Sequence, residues 1–407
     1  MTFARFLHEN APYLTAGALL TFVSSFGQTF FISMFAGEIR AEFGLSHGGW
    51  GTIYAVGTMV SAAVMVWAGA LTDIVRVRIL AIFVLGGLAA ACLLMAALPV
   101  LWGLPVVIFF LRLFGQGMSG HIATVAMARW FVAARGRALS IASIGFSVGE
   151  ACLPIIFVAL LAVTPWRLLW VVAAIIALLI LPVVVRLLRA VRTPQSVAKE
   201  TNAVGMQGRQ WSRTDAVGHW LFWVMVPVII GPSAFGTAFF FHQVHLAEVK
   251  GWTHLEFVAL FPIYTVTGIA ALLGSGWLID RFGTAWLMPF AQIPVALGFF
   301  ILGGTGSLWG ATAAVILMGL TFGANATLPA AFWAEFYGTR HLGAIKALAT
   351  AVMVLGSAIG PGLTGMLIDR GILFPDQMVG IGLWFLAVTA MLTLALSKAR
   401  KLLPQPA

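Results

Sequence analysis

RLLRAVRTPQSVAKETNAVGMQGRQWSRTDAVGH, residues 186–219, is the long polar run of this chain. It carries Arg186, Arg189, Arg192, Lys199, Arg209 and Arg213 against only Glu200 and Asp215. A run this polar does not cross a lipid bilayer, and its Gly, Pro, Ser and Gln content favours loop or loosely held helix. On either side, from about Pro12 and up to about Ser397, apolar segments alternate with short punctuated connections. The stretch therefore reads as a linker, residues 191–217, between two membrane-embedded halves, 1–190 and 218–407.

The halves are related by sequence. An offset of 207 positions lays Gly44-Leu45-Ser46-His47 on Gly251-Trp252-Thr253-His254 and Gly69-x-x-x-Asp73 on Gly276-x-x-x-Asp280. The same offset lays Leu101-Trp102-Gly103 on Leu308-Trp309-Gly310, and Gly149-x-Ala151-x-x-Pro154 on Gly356-x-Ala358-x-x-Pro361. One offset serving four separated landmarks implies a duplicated unit, the pattern of transporters built from two parallel halves.

Composition agrees. The chain has 407 residues, 61% hydrophobic and 9% charged, with a mean hydropathy of +1.01. A soluble domain carries about 25% charged residues, so the reading is a polytopic, all-α membrane protein. The net charge of +10 does not point to nucleic acid, because the basic residues sit in connections and not in an aromatic-interleaved patch. The first apolar segment is longer than the ~7–15-residue core of a signal peptide and is expected to stay. Cys92 and Cys152 fall mid-span and suit neither a disulfide nor a metal. His242-x-x-His245 has helical spacing but no third ligand, and reads as polar residues at a helix end.

A span needs about 20 apolar residues. Twelve are expected, at about 12–36, 48–70, 78–98, 104–128, 138–162, 167–188, 218–245, 255–279, 285–303, 307–334, 342–368 and 378–397. An even number puts both termini on one side. With the termini inside, the outer basic residues are only Arg40, Arg167, Lys250 and Arg370, and Arg112 lies within a span; the rest of the 23 lysines and arginines face the termini's side. That asymmetry puts both ends in the cytoplasm, with the chain in the cell (inner) membrane. Thr253-x-x-Glu256 reads as a capping box opening span eight. Trp130, Trp166, Trp211, Trp220, Trp252 and Trp286 fall near span ends, where indoles favour the membrane interface. Gly145, Gly149, Gly356, Gly360, Gly362 and Gly365 thin spans five and eleven, for close packing or for sliding.

These residues carry a resemblance. Twelve spans, a long central linker and the element GWLIDRFG, Gly276–Gly283, are similar to the major facilitator superfamily, as is Arg112-x-x-Gly115-x-Gly117 in span four. The first copy of the loop element, GALTDIVRVR, keeps Gly69, Asp73 and Arg78. The stretches 128–154 and 334–369 look like bacterial relatives of the monocarboxylate and oxalate/formate carriers. Span eight, however, carries no base, where those carriers place an arginine. The resemblance implies two pseudo-symmetric six-helix halves whose spans one, four, seven and ten line a central cavity. It also implies an inner gate, to which Asp73, Asp280 and Arg281 are assigned. Asp280 and Arg281 are expected beside Arg135 and Arg137, and Asp73 beside Arg340.

Polar groups inside hydrocarbon are costly and mark function. The substrate-contact candidates are Gln28, Tyr54, Arg112, Gln116, Tyr264, Asn325 and Lys346. Each has a plainer reading. The tyrosines can simply pack, the amides can bond helix to helix, and Lys346 can snorkel to the membrane edge. Thr21 and Ser25 read as helix–helix hydrogen bonds, His121 as a satisfied interior histidine, and Phe239 to Phe241 as core or lipid contacts. Arg112 and Glu150 are the deep charges, at similar depth on neighbouring spans, and an ion pair between them is expected. The pair is either permanent or opened by a substrate carboxylate while Glu150 takes a proton, which makes Glu150 the proton-coupling candidate. No phosphate-binding loop, nucleophile–base pair or cofactor motif is present. The expectation is a secondary transporter of a small organic solute, an organic anion such as a monocarboxylate. It works as a monomer in the lipid bilayer, by alternating access and with protons as coupling ion, without cofactor or enzymatic activity. Efflux of amphipathic compounds is the alternative, and a non-transporting receptor or assembly factor on this fold is a third.

Overall fold

The computed structural model describes residues 3–69, 71–131, 135–189, 204–338 and 341–403. Among the described residues every regular element is helical. The spanning helices in chain order are α1, a bent pair Phe6–Gly27 and Thr29–Phe43; α2, His47–Ala68; α3, Val77–Ala97; α4, Leu101–Met127; α5, Arg135–Leu161; α6, Trp166–Leu187; α7, Trp220–Phe241; α8, His254–Ile279; α9, Thr284–Gly304; α10, Leu308–Tyr337; α11, Leu342–Asp369; and α12, Phe374–Leu402. Hydrocarbon offers no partner to backbone N–H and C=O groups, so apolar runs of this length satisfy themselves as helices.

The chain forms two compact units, Met1–Lys199 and Glu200–Ala407. In the first, α1 packs on α5, α2 on α4, and α3 on α6; in the second, α7 packs on α11, α8 on α10, and α9 on α12. Each pairing reappears six helices later, which is the duplication seen in the sequence. The landmarks have local physical causes. Gly44 and Gly251 end their helices in the left-handed conformation, at φ 62° and 72°. Two residues on, Ser46 Oγ accepts from Gly49 N at 3.0 Å and Thr253 Oγ1 accepts from Glu256 N at 3.2 Å. Glu256 Oε2 in turn accepts from Thr253 N at 2.8 Å, completing the expected capping box. Trp102 and Trp309, 78% and 86% exposed at the starts of α4 and α10, are paired surface anchors.

The C-terminal ends of α3 and α9 are clamped in the same register by different side chains. Arg167 donates to Ala96 O at 2.8 Å and Leu98 O at 2.6 Å where α3 ends, and pairs with Glu42. Lys250 donates to Gly303 O at 2.6 Å where α9 ends. A cation at a helix C-terminus meets orphan carbonyls and the negative end of the dipole.

Glycines of α5 and α11 sit at close helix contacts. A Cβ on Gly145 would fall on the carbonyl oxygen of Ala18, and one on Gly360 on that of Ala234. Thr21 Oγ1 reinforces the first contact by bonding Ala142 O across to α5.

The linker departs from its expected looseness. Residues 190–203 lie outside the described residues, but from Gly205 the chain folds onto the second unit. Met206, Trp211 and Ala216 are buried in its core with Phe222, Trp333 and Tyr337. Trp211, at 3% exposure, is therefore a core residue and not an interfacial anchor. The cause is local: two apolar side chains spaced to fill one hollow outweigh the polar composition around them.

Candidate functional site

In the first unit the polar residues gather at a break in α1. The helix ends at Ser24, tightens into a 3₁₀ turn over Ser25–Gly27, and becomes extended at Gln28 (φ −85°, ψ 155°) before restarting at Thr29. The two arms meet at 46°. Opposite, α4 widens into a π-helical stretch over Leu111–Ser119, a distortion that is frequent at functional sites. The two helices touch backbone to backbone, so that a Cβ on Gly115 would lie 2.6 Å from Gly27 Cα.

Arg112, 2% exposed, reaches into this break. Its Nη1 donates to Gly27 O at 3.2 Å and to Thr29 Oγ1 at 3.4 Å. The guanidinium carbon stands 5.3 Å from the centre of the Tyr54 ring, a cation–π distance. The Tyr54 hydroxyl and Thr29 Oγ1 share a hydrogen bond. Arg112 Nε has no partner among the described atoms. Arg112 and Tyr54, both singled out in the sequence, are thus brought together, and Thr29 joins them. Gln28 is half-buried at the break, and Gln116 lies on an exposed side of the π-helical stretch.

Glu150 is not among the described partners of Arg112. It is half-buried on α5, which packs along α1 and also touches α4. His121 Nε2 contacts Gly69 O at 3.2 Å, an interior contact as expected.

The second unit holds a cavity of about 420 Å³ between α7, α10 and α11. Its walls are largely apolar: Val228, Ile229 and Pro232 from α7, Phe322, Pro329 and Trp333 from α10, and Ala349 and Met353 from α11. Asn325 and Lys346, two of the expected contacts, both line it. Asn325 ends the first arm of α10; the helix restarts at Leu328 with Pro329 in its first turn. Thr327 in the gap bonds Ser275 of α8 at 2.7 Å. Asn325 Oδ1 accepts from Gln292 Nε2 of α9 at 3.4 Å, and Asn325 Nδ2 has no described partner. Lys346 stands in the second turn of α11, near its electropositive end. It is exposed and makes no ion pair or hydrogen bond with a described residue.

Other expected residues fall elsewhere. Tyr264 lies behind the cavity wall, its ring 6.1 Å from Phe322 and 5.4 Å from Phe240. Phe239 and Phe241 are core. His242 Nε2 meets Thr364 Oγ1 at 2.9 Å, and His245 Nε2 accepts from Phe374 N at 3.5 Å, so both are helix-end contacts. Arg281 is exposed, its guanidinium carbon 5.5 Å from the Trp277 ring. The side chains of Asp73, Asp280, Arg135 and Arg137, and all of Arg340, lie outside the described residues. Glu335 caps α9. Its Oε2 accepts from Thr284 N at 3.0 Å and from Thr284 Oγ1 at 2.7 Å. A carboxylate at a helix N-terminus is the favourable arrangement, but its partner lies 51 residues away and no local spacing announces it.

The family model of the Major Facilitator Superfamily matches residues 17–361. Among solved structures, a bacterial homolog of the human lysosomal transporter Spinster, inward-facing and unoccupied, aligns with a TM-score of 0.73 at 16% identity, covering 98% of this chain and 99% of that one. The nucleoside transporter NupG aligns with a TM-score of 0.69 at 12% identity, covering 96% and 99%. No curated protein matches the sequence.

Proposed function

This chain belongs to the Major Facilitator Superfamily, a family of transporters and not of enzymes, and from that premise we propose that it is a secondary transporter of a small organic anion. One observation carries the reading: Lys346 lines an apolar-walled cavity with no anion among the described lining residues. A cation at an apolar cavity is placed to meet a ligand that brings the opposite charge. The substrate then joins a carboxylate or similar group to a modest apolar body that fits against Phe322, Trp333 and Met353. A nucleoside would use the aromatic walls and the Asn325 amide but leave Lys346 unmatched. The same walls favour efflux of amphipathic compounds as the second reading.

Transport proceeds by alternating access of the two halves, with Arg112 and Tyr54 serving the first half, Lys346 and Asn325 the second, and Asp73, Asp280 and Arg281 gating the inner side. Both termini are cytoplasmic in this scheme: cysteines at Gln195 and Asp376 are expected to label from opposite faces of the membrane, and same-side labelling would contradict it. Protons supply the drive, with Glu150 as carrier.

The test is uptake into proteoliposomes with a panel of monocarboxylates, dicarboxylates and neutral amphipaths, with and without a pH gradient. Accumulation is expected for monocarboxylates alone and only with the gradient. Glu150→Gln is expected to keep exchange and lose gradient-driven accumulation. Transport of neutral amphipaths equal to that of carboxylates would remove the anion reading, and full accumulation by folded Glu150→Gln would remove Glu150 from coupling.

A further inference from the structure

The stretch 205–219 is more than a tether. Gly205 lies against the backbone of Phe336 and Gly338, where a Cβ would sit 2.5 Å from Phe336 O. Met206 is fully buried. Trp211 N donates to Tyr337 O at 3.1 Å, and Trp211 Nε1 to Met206 O at 3.1 Å. A capping box between Ser212 and Asp215 then starts a short helix, Arg213–Gly218, that leads to His219. His219 caps α7, its Nδ1 accepting from Leu221 N at 3.4 Å. Its ring stands 4.9 Å from Trp211 and 6.4 Å from Tyr337. Arg209 lies 3.9 Å over the Trp211 ring.

This seat is continuous with the cavity. Trp333 and Ala349 belong both to the core that the stretch covers and to the cavity wall. Ile345, in the same core, immediately precedes Lys346. Whatever holds 205–219 in place also holds the corner between α10 and α11 from which Trp333 and Lys346 face the cavity.

We propose that residues 205–219 are a pH-operated clamp, docked while His219 is neutral and released from the α10–α11 corner when His219 is protonated. The geometry requires a neutral ring. Nδ1 accepts a backbone N–H, and an imidazolium has no acceptor to offer. It would also add a positive charge beside Arg209 in a half-buried site. The other groups around it do not compensate. Tyr337 of α10 is neutral. Asp215 is committed to Ser212, whose side chain and backbone hold its carboxyl below the usual range, with Arg209 and His341 lowering it further. The chain end after α12 brings Arg400 and Lys401 close to the same core. Burial first, and Arg209 second, push His219 below the ordinary imidazole value of 6.5.

The sign follows from that direction. The neutral form is favoured in the docked state, so docking is complete above pH ~6.5 and weakens as pH falls below it, by up to ~10-fold per pH unit. By the topology proposed above, the clamp responds to cytoplasmic pH. Its test needs no substrate and is independent of the anion reading.

The experiment is hydrogen exchange of the full chain in lipid nanodiscs, read on peptides covering 204–219 and corrected for intrinsic rates, at pH 7.5 and 5.5. In the wild type, protection of the Trp211 amide is expected to fall about fivefold to tenfold at pH 5.5. His219→Gln, neutral and still able to accept from Leu221 N–H, is expected to keep its protection at both values, and His341→Gln to behave as wild type. Trp211→Ala is expected to be unprotected throughout. Equal wild-type protection at the two pH values overturns the proposal without recourse to any variant, and so does an unchanged fall in His219→Gln.

Discussion

Gly145→Ala is expected to lower the melting temperature of the purified protein sharply, whereas Gly86→Ala should leave it unchanged or raise it slightly. Both glycines lie inside helices, and by propensity alone each alanine would stabilise by ~1 kcal/mol. A Cβ on Gly86 meets nothing, so only the propensity acts there. On Gly145 it collides with the backbone oxygen of Ala18, and Thr21 Oγ1 stands 2.5 Å away. Backbone cannot rotate aside as a side chain does, so α1 and α5 must separate along their contact and lose the Thr21 to Ala142 bond. Overpacking of this kind costs ~1–3 kcal/mol and more where backbone must shift, and a lost buried hydrogen bond adds ~1 kcal/mol. Thermal unfolding followed by tryptophan fluorescence compares the two variants directly. The comparison also decides between the two roles open to these glycines. A Gly145→Ala protein that melts like the wild type but no longer transports would make the contact a sliding surface; a large drop in melting temperature makes it a structural one. Gly360→Ala, at a similarly tight contact with Ala234 O between α7 and α11, is expected to behave as Gly145→Ala does.

What the sequence discloses divides along the range of the physics involved. The duplication was legible because its landmarks are local devices: a left-handed glycine two residues before a Ser or Thr cap, or a tryptophan at a helix start, works without reference to the rest of the fold. Span lengths were legible because bilayer thickness sets them. Azimuth was not. Depth along a helix put Arg112 and Glu150 level, but which way each faces depends on how α1, α4 and α5 pack, and the break at Gly27 and Gln28 offers Arg112 a backbone carbonyl that no spacing foretells. That break has no proline, and its polar run Ser24-Ser25-Phe26-Gly27-Gln28-Thr29 reads equally well as one face of an unbroken helix. The gap in α10 could have been suspected from Pro329, which cannot continue a helix without losing a bond. Thr29 was missed because a threonine at a helix restart looks like any other helix-start residue until Arg112 and Tyr54 are placed around it. Composition misled at 205–219, where Met206 and Trp211 decide the structure and their polar neighbours only decorate it.

Lys346→Gln is expected to raise the KM for a transported monocarboxylate ~10- to 100-fold while leaving transport of any neutral compound unchanged. The estimate takes the loss of a charge-assisted hydrogen bond as ~1.5–3 kcal/mol, converted at ~1.4 kcal/mol per factor of ten. Lys346→Arg keeps the charge and should retain most of the affinity. Stability should move the other way. The exposed ammonium lines the cavity with Val228, Trp333 and Met353 and stands near the positive end of α11. Removing it relieves the repulsion from the helix end and adds an apolar side chain to the cavity wall, so Lys346→Met is expected to melt higher than the wild type while binding the anion worse. A lysine that merely snorkels to the membrane edge predicts no loss of carboxylate transport, because its charge meets only water and its stem only covers apolar surface. The paired readout therefore separates the roles. Higher melting temperature with weakened carboxylate transport supports a ligand site held at a cost in stability. Unchanged transport in a folded Lys346→Gln protein would return Lys346 to the surface and leave the cavity to neutral, apolar compounds.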